Sequence, residues 1–518
     1  MQSFALIAVL LVSVTAGAAR DDSDLITIAT GVPQLFVDDF LIDRAENLRR
    51  TLNQPRKDNG GREPLLDVTA EFAPHTSTLE ANGTIVFDPQ LRKYVMFALG
   101  FSSERQSWDR VRLYRFTSDD GLQWSRGSDG KAEFVYPRTR DFFLDRESGT
   151  YATNIDLFCC CYDERNDQHP YQGWQWFANW GDEREGSYHM QSADGIQWQR
   201  GRKIVGIHDW QIQQDGYELF GAGDVTTFSP DELSGRYLAL VKFANHSAIG
   251  PENRQRARSF VFVDSLAEPI DPRQIQRVDL VPTATRQDGE FPHDEYYSST
   301  AGRYGSLWLG TLKIWHRGGD HVWSAAGCAY LKLIYSRDGL HWKRVQFDND
   351  AGVPEVFVPN GTEGGNDGHN DGGYITEFSN PPLRIGDELL LYYGASSWGK
   401  NHARGVRVTG GGIFRARLRP DGFVSVDGGI LLTKTLVSKG DRLDLQVNSS
   451  GAVTISVLRQ DGTLLGSTDV NGDSLHHIVR FDGVQLGKLS VQTGFRLRFS
   501  VGDGGKLYSF TVVSPGND

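Results

Sequence analysis

A short repeated segment constrains this chain more than any other feature. It occurs at residues 117–124, 191–198 and 335–342, and each copy reads Ser-x-Asp-Gly-(Leu/Ile)-x-Trp. Asp-Gly favours the left-handed backbone conformation of a tight hairpin turn, and the Trp that follows lies on the next strand, where it can cover a sheet edge. A weaker copy lies at residues 419–424. The pattern predicts hairpins of similar shape along an all-β chain.

A second repeated unit precedes the hairpins and consists of an apolar strand, a turn rich in Asp, Pro or Gly, and another apolar or aromatic strand. Four strands per unit, recurring at roughly 60–80 residues, predict propeller blades. The five predicted blades are near residues 76–136, 150–205, 220–275, 292–348 and 370–427. A sandwich of the same strands is the alternative, and the spacing favours the propeller.

The character of the chain changes after about residue 426, where aromatic residues become rare and short alternating strands follow. We therefore predict an all-β protein with a five-bladed β-propeller over residues 30–427 and a C-terminal β-sandwich over residues 428–518. The composition agrees with this fold, because 58 Gly and only 3 Met point away from a helical bundle.

The N-terminus predicts export. Residues 5–14 are an apolar run that is too short to span a bilayer, and small residues that fit a cleavage site follow it, so residues 1–19 are the predicted signal peptide. Four glycosylation sequons agree with a secreted, extracellular glycoprotein: Asn82, Asn245, Asn360 and Asn448. A net charge of −12 argues against nucleic acid as a partner.

The four cysteines do not form a disulfide framework or a metal-ligand pattern. Cys159, Cys160 and Cys161 are consecutive, and Cys328 is distant in the sequence. Two interpretations stay open: a disulfide to Cys328, or buried cysteines that pack as small apolar residues.

Acidic residues recur near the start of each predicted inner strand. They are Glu80, Asp156, Asp224, Asp294 with its neighbour Glu295, and Asp371. Converging carboxylates shift each other's pKa, so that one can donate a proton while another stays ionised, as cleavage of a glycosidic bond requires. The alternatives are a Ca²⁺ site or acids that only stabilise turns. Taken together, the set favours a carbohydrate site.

Other residues could bind the sugar at the same mouth of the propeller. His75, His293 and His369 lie close in sequence to these acids, and Trp315 could stack on a sugar ring. With Asp294 and Asp371 they form the predicted substrate-binding set. We predict no metal ligands and no required cofactor. The oxygen-rich residues 363–373 leave Ca²⁺ open, although they do not match an EF-hand.

Residues 35–42, 386–394 and 418–425, together with the hairpin repeats, resemble a family of secreted five-bladed propellers similar to glycoside hydrolase families 32 and 43. The resemblance implies an Asp nucleophile or base, an Asp that stabilises the transition state and a Glu general acid. It places Glu295 as the acid and Asp156 or Asp224 as base or stabiliser. Blade one offers Glu80 in place of an Asp, unless Asp38 or Asp39 reaches the axis.

These observations predict a secreted glycoside hydrolase that cleaves an oligo- or polysaccharide with paired carboxylates at the propeller mouth. The alternative is a non-catalytic carbohydrate-binding or cell-surface propeller protein. The two differ in the surroundings of the acids, because catalytic carboxylates border an open pocket, whereas pairing of every acid with a cation indicates a structural role.

Overall fold

The computed structural model describes residues 25–67, 77–102, 108–126, 130–145, 149–178, 183–208, 211–214, 217–247, 254–275, 294–317, 327–345, 355–398, 411–440 and 442–514. Over these residues the protein is nearly all-β, as predicted. Helical structure in them is limited to α1 (Leu486–Gln492) and 3-10 turns at Asp58–Gly61, Arg140–Phe143 and Pro272–Gln274. None of the described helices is long and apolar enough to cross a membrane.

Five short strands come first along the chain. They are β1 (Leu25–Thr27), β2 (Gln34–Leu35), β3 (Ile42–Glu46), β4 (Arg50–Leu52) and β5 (Arg56–Lys57). Their partners all lie far along the chain, because each pairs with a strand that begins after residue 411.

Five antiparallel sheets follow in chain order. Sheet I contains β6 (Ser77–Asp88), β7 (Lys93–Ser102), β8 (Val111–Ser118) and β9 (Glu133–Tyr136), after which β10 (Leu144–Asp145) pairs with β11 (Thr150–Tyr151). Sheet II contains β12 (Asn154–Tyr162), β13 (Tyr171–Ala178), β14 (Gly186–Ser192) and β15 (Trp198–Gly206). Sheet III contains β16 (Gln211–Gln214), β17 (Tyr217–Ala222), β18 (Thr227–Asp231), β19 (Arg236–Ser247) and β20 (Arg254–Val263).

Sheets IV and V complete this series. Sheet IV contains β21 (Glu295–Ser299), β22 (Gly302–Tyr304), β23 (Leu307–Arg317), β24 (Gly327–Ser336) and β25 (Trp342–Arg344). Sheet V contains β26 (Thr376–Glu377), β27 (Leu383–Ile385), β28 (Glu388–Ala395) and β29 (Gly412–Leu418), and β5 from the N-terminal region adds its outer strand.

The five sheets form a closed ring, because each shares an apolar core with the next and sheet V packs against sheet I. Aromatic pairs mark four of these contacts: Phe97–Phe158, Trp174–Phe228, Phe260–Trp342 and Trp124–Tyr392. Residues from all five sheets line one narrow cavity of about 10 Å³. That cavity marks the axis of the ring.

The repeated hairpins have the predicted turn. In the first copy Gly121 has φ +69° and donates its backbone N–H to Ser118 Oγ at 2.8 Å. Asp120 Oδ1 accepts the backbone N–H groups of Leu122 and Gln123, each at 2.8 Å. The other two copies repeat this hydrogen bonding. The Asp residues of the motif therefore hold the turns and are not candidates for catalysis.

The C-terminal residues form two further sheets around one apolar core. The strands of this region are β30 (Val424–Val426), β31 (Gly429–Thr433), β32 (Thr435–Val437), β33 (Asp444–Ser450), β34 (Val453–Leu458), β35 (Leu464–Val470), β36 (Ser474–Val479), β37 (Arg496–Val501) and β38 (Lys506–Val513), of which β32 pairs with β1 in a separate two-stranded parallel sheet. One sheet has the order β36-β33-β38-β30-β4 with β2 on β38, and the other has the order β3-β31-β37-β34-β35.

The structure decides two questions that the sequence leaves open, one about Asp38 and Asp39 and one about the cysteines. Asp38 and Asp39 do not reach the axis, because Asp38 pairs with Arg337 in the third hairpin turn and Asp39 pairs with Arg50. The four cysteines are free, so the disulfide to Cys328 does not form. Burial raises the pKa of Cys159 to about 12, as expected for a thiol that packs in a core.

Candidate functional site

Charged side chains from sheets III, IV and V are concentrated around the ring of Tyr297 near the axis. We call this group the axial cluster. Its members are Asp224, Lys242, Arg256, Arg258, Glu295, Tyr297, Lys313 and Glu377. Three carboxylates and four cations thus share one largely buried region, where each charge needs a partner.

Asp224 forms the most accessible ion pair of the cluster. It lies in the link between β17 and β18, and its carboxylate contacts the ammonium group of Lys242 on β19. The Asp224 side chain is 28% exposed, whereas Lys242 is buried. Lys242 Nζ also lies 4.2 Å from the centre of the Tyr297 ring, a favourable cation–π distance. The ammonium group stabilises an ionised Asp224 that solvent can still reach.

Glu295, the first residue of β21, is fully buried and pairs with Arg256 on β20. Burial disfavours the guanidinium charge, but Glu295, Tyr297 and Asp224 outweigh it and raise the pKa of Arg256. The guanidinium carbon lies 5.2 Å from the Tyr297 ring centre. Glu295 is thus held in a buried ion pair and does not line the axial cavity, which favours a positioning role for this residue.

Two fully buried cations lie deeper in the cluster. Arg258 donates to Ser299 Oγ and to three backbone carbonyl oxygens, and burial lowers the pKa of Arg258 to about 9. Lys313 donates from Nζ to Tyr374 Oη at 3.0 Å and to Thr376 Oγ1 at 3.2 Å. Neutral oxygens accept these hydrogen bonds from both cations.

Glu377 on β26 differs from the other carboxylates of the cluster. Burial raises its pKa, although Lys313, the Ser298 hydrogen bond and Arg258 act in the opposite direction. Ser298 Oγ donates to one carboxylate oxygen, and the second oxygen, Oε2, is buried with no hydrogen-bond partner among the described residues. Burial therefore shifts this carboxyl toward protonation relative to an exposed Glu, and Oε2 is the oxygen that could carry the proton.

Glu377 also lines the axial cavity, together with the hydroxyl-bearing residues Thr227, Ser298, Ser299, Thr300 and Ser379. The volume of about 10 Å³ is close to the minimum that one water molecule requires. Thr227 Oγ1 is buried and has no hydrogen-bond partner among the described residues. The polar lining could therefore hold a water molecule next to the Glu377 carboxyl.

Glu377 and Asp224 have opposite environments within one electrostatic network. Arg258 interacts with the charges of both carboxylates. Glu377 is buried and its pKa is raised, whereas Asp224 is partly exposed and paired with an ammonium group. Such a division between two carboxylates is the usual basis for assigning an acid and a base.

The other two predicted catalytic residues are Asp156 and Glu80. Asp156 lies in β12, and its Oδ1 accepts the backbone N–H of Leu157 at 2.9 Å, next to the axial cavity. Glu80 lies in β6 opposite Leu99, and its side chain is outside the described part of the chain. His75 and His293 are outside the described residues altogether.

Asp371 and His369 belong to the junction that closes sheet V. The Asp371 carboxylate is buried, contacts the ammonium group of Lys57 on β5 and accepts a hydrogen bond from Tyr393 Oη at 3.0 Å. His369 Nδ1 lies 2.9 Å from Asp367 Oδ2. The contact between Asp371 and Lys57 secures β5 on sheet V, which favours a structural role for Asp371 over substrate binding.

The predictions for Asp294 and Trp315 have different outcomes. Asp294 is buried and pairs with His316 at 2.7 Å. The prediction that Trp315 offers a stacking face is wrong, because its ring is fully buried, packed edge-on to Tyr297 at 5.6 Å and covered by Arg256. Within the described residues no group of three or more His, Cys, Asp or Glu side chains could hold a metal ion.

Sequence reasoning missed Glu377, Lys242 and Lys313. The predicted acids share one spacing from the first turn of each repeated unit. Glu377 lies closer to that turn than the other acids do, so this spacing does not select it. A usable signal was present, because Lys242 and Lys313 are charged residues in the middle of otherwise apolar strands. A charge in such a place must be paired in the folded protein.

No protein-family model and no curated protein sequence matches the chain. Solved structures with a similar chain path include a glycoside hydrolase (10% identity, TM-score 0.43, covering 71% of this chain and 92% of that one). Another is an exo-1,5-α-L-arabinanase from a bovine ruminal metagenomic library (12% identity, TM-score 0.38, covering 68% and 97%). At these low scores the similarity carries no argument about activity.

Proposed function

We propose that this protein is a glycoside hydrolase with Glu377 as general acid and Asp224 as base or nucleophile. The observation that carries the proposal is the contrast between the two carboxylates. Burial raises the pKa of Glu377, while Lys242 stabilises the charge of a partly exposed Asp224. Cleavage of a glycosidic bond needs one protonated and one ionised carboxyl group on opposite sides of the scissile bond.

The proposal includes the fold and the location of the protein. The closed ring of sheets I–V is a five-bladed β-propeller, and the two C-terminal sheets are a β-sandwich packed against it. The N-terminal export signal makes the protein secreted, so its substrates are extracellular oligo- or polysaccharides. The roles known from glycoside hydrolase families 32 and 43 remain a resemblance, since Glu295, their implied acid, is paired with Arg256.

In the proposed mechanism, Glu377 donates its proton to the departing glycosidic oxygen, directly or through a water molecule in the axial cavity. Asp224 then acts on the anomeric carbon or activates the attacking water from the accessible side. Lys242, Arg256 and Glu295 fix the position of Asp224 and of the Tyr297 ring through their ion pairs. This positioning keeps the two carboxylates in different protonation states.

A second candidate function is non-catalytic carbohydrate binding. Two observations favour it: Asp224, Glu295 and Asp371 each contact a cation, and the axial cavity is very small. Under this alternative the axial cluster is a buried network that holds sheets III, IV and V together.

A substrate screen separates the two functions. Plant and algal polysaccharides are incubated with the wild-type protein, Glu377→Gln and Asp224→Asn, and released sugars are measured as new reducing ends. Glu388→Gln, a change on sheet V at a half-exposed surface pair, is the matched control. Turnover that is lost in the first two variants and kept in the control supports the proposal. Glycan binding without turnover by the wild-type protein contradicts it and supports the alternative.

A further inference from the structure

A second polar cleft lies where sheet V meets the C-terminal sheets, away from the axial cluster. Its volume is about 260 Å³, and residues from the N-terminal segment, β27, β33, β36 and β38 form its walls. We call it the junction cleft and define it by Arg384, Asp421, Gln446, His476 and Thr511. Nothing in the proposed hydrolytic mechanism uses these residues.

The floor of the junction cleft is fixed by hydrogen bonds to Asp421. This residue has φ +61°, and its backbone N–H donates to Tyr304 Oη at 2.8 Å. Tyr304 Oη donates in turn to Asp421 Oδ1 at 2.9 Å, and the buried Ser509 and Asn448 donate to Oδ2. The protein itself therefore makes the hydrogen bonds of the Asp421 carboxylate, and this part of the cleft is preformed.

The walls combine unused hydrogen-bonding groups with apolar surface. Gln446 on β33 and Thr511 on β38 are directly opposite each other in the sheet, and both are partly exposed. Within the described chain neither side chain makes a hydrogen bond. Pro33, Pro420 and Leu475 supply apolar patches to the same cleft. A sugar ring carries hydroxyl groups that form hydrogen bonds and C–H groups that pack on apolar surface. The lining of the cleft offers a surface of each kind.

The rim of the junction cleft carries one arginine and one histidine. Arg384 lies there with an exposed guanidinium, and His476 lies nearby with an exposed imidazole. The side chains of both make no hydrogen bond or ion pair with the described residues. Because Tyr304, Asn448 and Ser509 already occupy the carboxylate oxygens of Asp421, the guanidinium of Arg384 is left to contact an incoming anion.

We propose that the junction cleft binds a sugar ring that carries a carboxylate, with Gln446 and Thr511 on the hydroxyl groups and Arg384 on the carboxylate. The volume is below the usual 300–1,000 Å³ of drug-sized pockets, so the cleft suits roughly one or two sugar rings. The inference does not depend on the axial cluster, and the cleft would hold an acidic polysaccharide whether or not the protein cleaves it.

Two matched sugar pairs test the ligand class. Galacturonate against galactose, and glucuronate against glucose, differ at the carboxylate alone, and their binding to the full chain is measured by calorimetry and saturation-transfer NMR. We expect at least one uronate to bind about tenfold or more tightly than its neutral partner. Arg384→Ala should abolish this difference, and Arg459→Ala, an exposed arginine outside the cleft, should preserve it. No binding of either uronate, or equal binding of uronates and neutral sugars, would overturn the proposal.

Two further variants establish the location. Gln446→Ala should weaken binding of the preferred uronate, because it removes one hydrogen-bonding side chain from the wall. Glu377→Gln should leave that binding unchanged, because Glu377 lies in the axial cluster. Loss of binding in Glu377→Gln with no effect of Gln446→Ala would place the sugar at the axis and overturn the inference. Thermal unfolding of each variant confirms that it folds.

Discussion

Replacing Glu377 with Gln should stabilise the folded protein at pH 8. Burial raises the pKa of this carboxyl above its ordinary value of 4.5, so the folded protein holds a proton that the unfolded chain releases first. Where the folded state binds more protons, stability decreases as the pH rises. The loss begins near the unfolded-state pKa and is complete above the folded-state pKa. Gln is neutral throughout and does not incur it.

The size of the gain follows from the shift of the pKa. Each unit by which burial raises the folded-state pKa is equivalent to about 1.4 kcal/mol of the free energy of unfolding once the pH exceeds both values. The Gln amide oxygen keeps the acceptor for Ser298 Oγ. The same substitution removes the proposed proton donor, so turnover should fall by about 10²–10⁴-fold while stability rises.

Urea unfolding of the wild-type protein and Glu377→Gln at pH 5 and pH 8 measures this effect. We expect the variant to gain stability relative to the wild type mainly at pH 8. Glu295→Gln is the matched control, because it breaks a buried pair with Arg256 and should destabilise the protein by about 3–5 kcal/mol. If Glu377→Gln is destabilised as much as Glu295→Gln, Glu377 is an ionised member of the network and the reasoning fails.

Three other predictions concern the fold and its modification. Trp342→Ala should cost about 3–5 kcal/mol in denaturant unfolding, because the ring is fully buried and stacks on Phe260 at 4.7 Å; a loss below 1 kcal/mol would argue against this packing between sheets III and IV. Burial opposes the charge of Asp58, but hydrogen bonds from two arginines, among them Arg415, lower the pKa of this carboxyl. The ionised carboxylate therefore stabilises the folded protein above pH 3.8, and this contribution is lost as the pH falls below 3.8. Asp58→Asn should therefore destabilise by about 2 kcal/mol at pH 7, with a smaller effect near pH 2, and a pH-independent difference would refute the ion pairs. Asn448 should carry no glycan by peptide mass spectrometry, since the residue is buried and Nδ2 donates to a backbone carbonyl at 2.9 Å; a glycan there would contradict the packing.

Local features of the fold were predictable from the sequence. The hairpin turns depend on residues within a few positions of each other, such as Ser118, Asp120 and Gly121, so their hydrogen bonds follow from the motif itself. The strands of sheets I–V were predictable for the same reason. Apolar runs separated by turn residues indicate strands wherever the partners are close in sequence.

Long-range pairings were not predictable in this way. β2, β3 and β4 join the C-terminal sheets and β5 completes sheet V, but nothing in their short sequences identifies a partner strand hundreds of residues away. The acids illustrate the same limit. Asp371 and Glu295 occupy similar places in the repeat, yet one contacts Lys57 from the N-terminal region and the other contacts Arg256 from sheet III. The pairing of each acid depends on the tertiary structure.

The central claim is that Glu377 donates a proton to the leaving group, and substrates with different leaving groups test it most directly. For any sugar that the screen identifies, the wild-type protein and Glu377→Gln are compared on the natural linkage and on the matching dinitrophenyl glycoside, whose leaving group needs no proton. The account predicts that kcat/KM of the variant falls by about 10²–10⁴-fold on the natural linkage and by less than about tenfold on the dinitrophenyl glycoside. Equal losses on both substrates, or no loss on either, would contradict the role of Glu377 as the general acid.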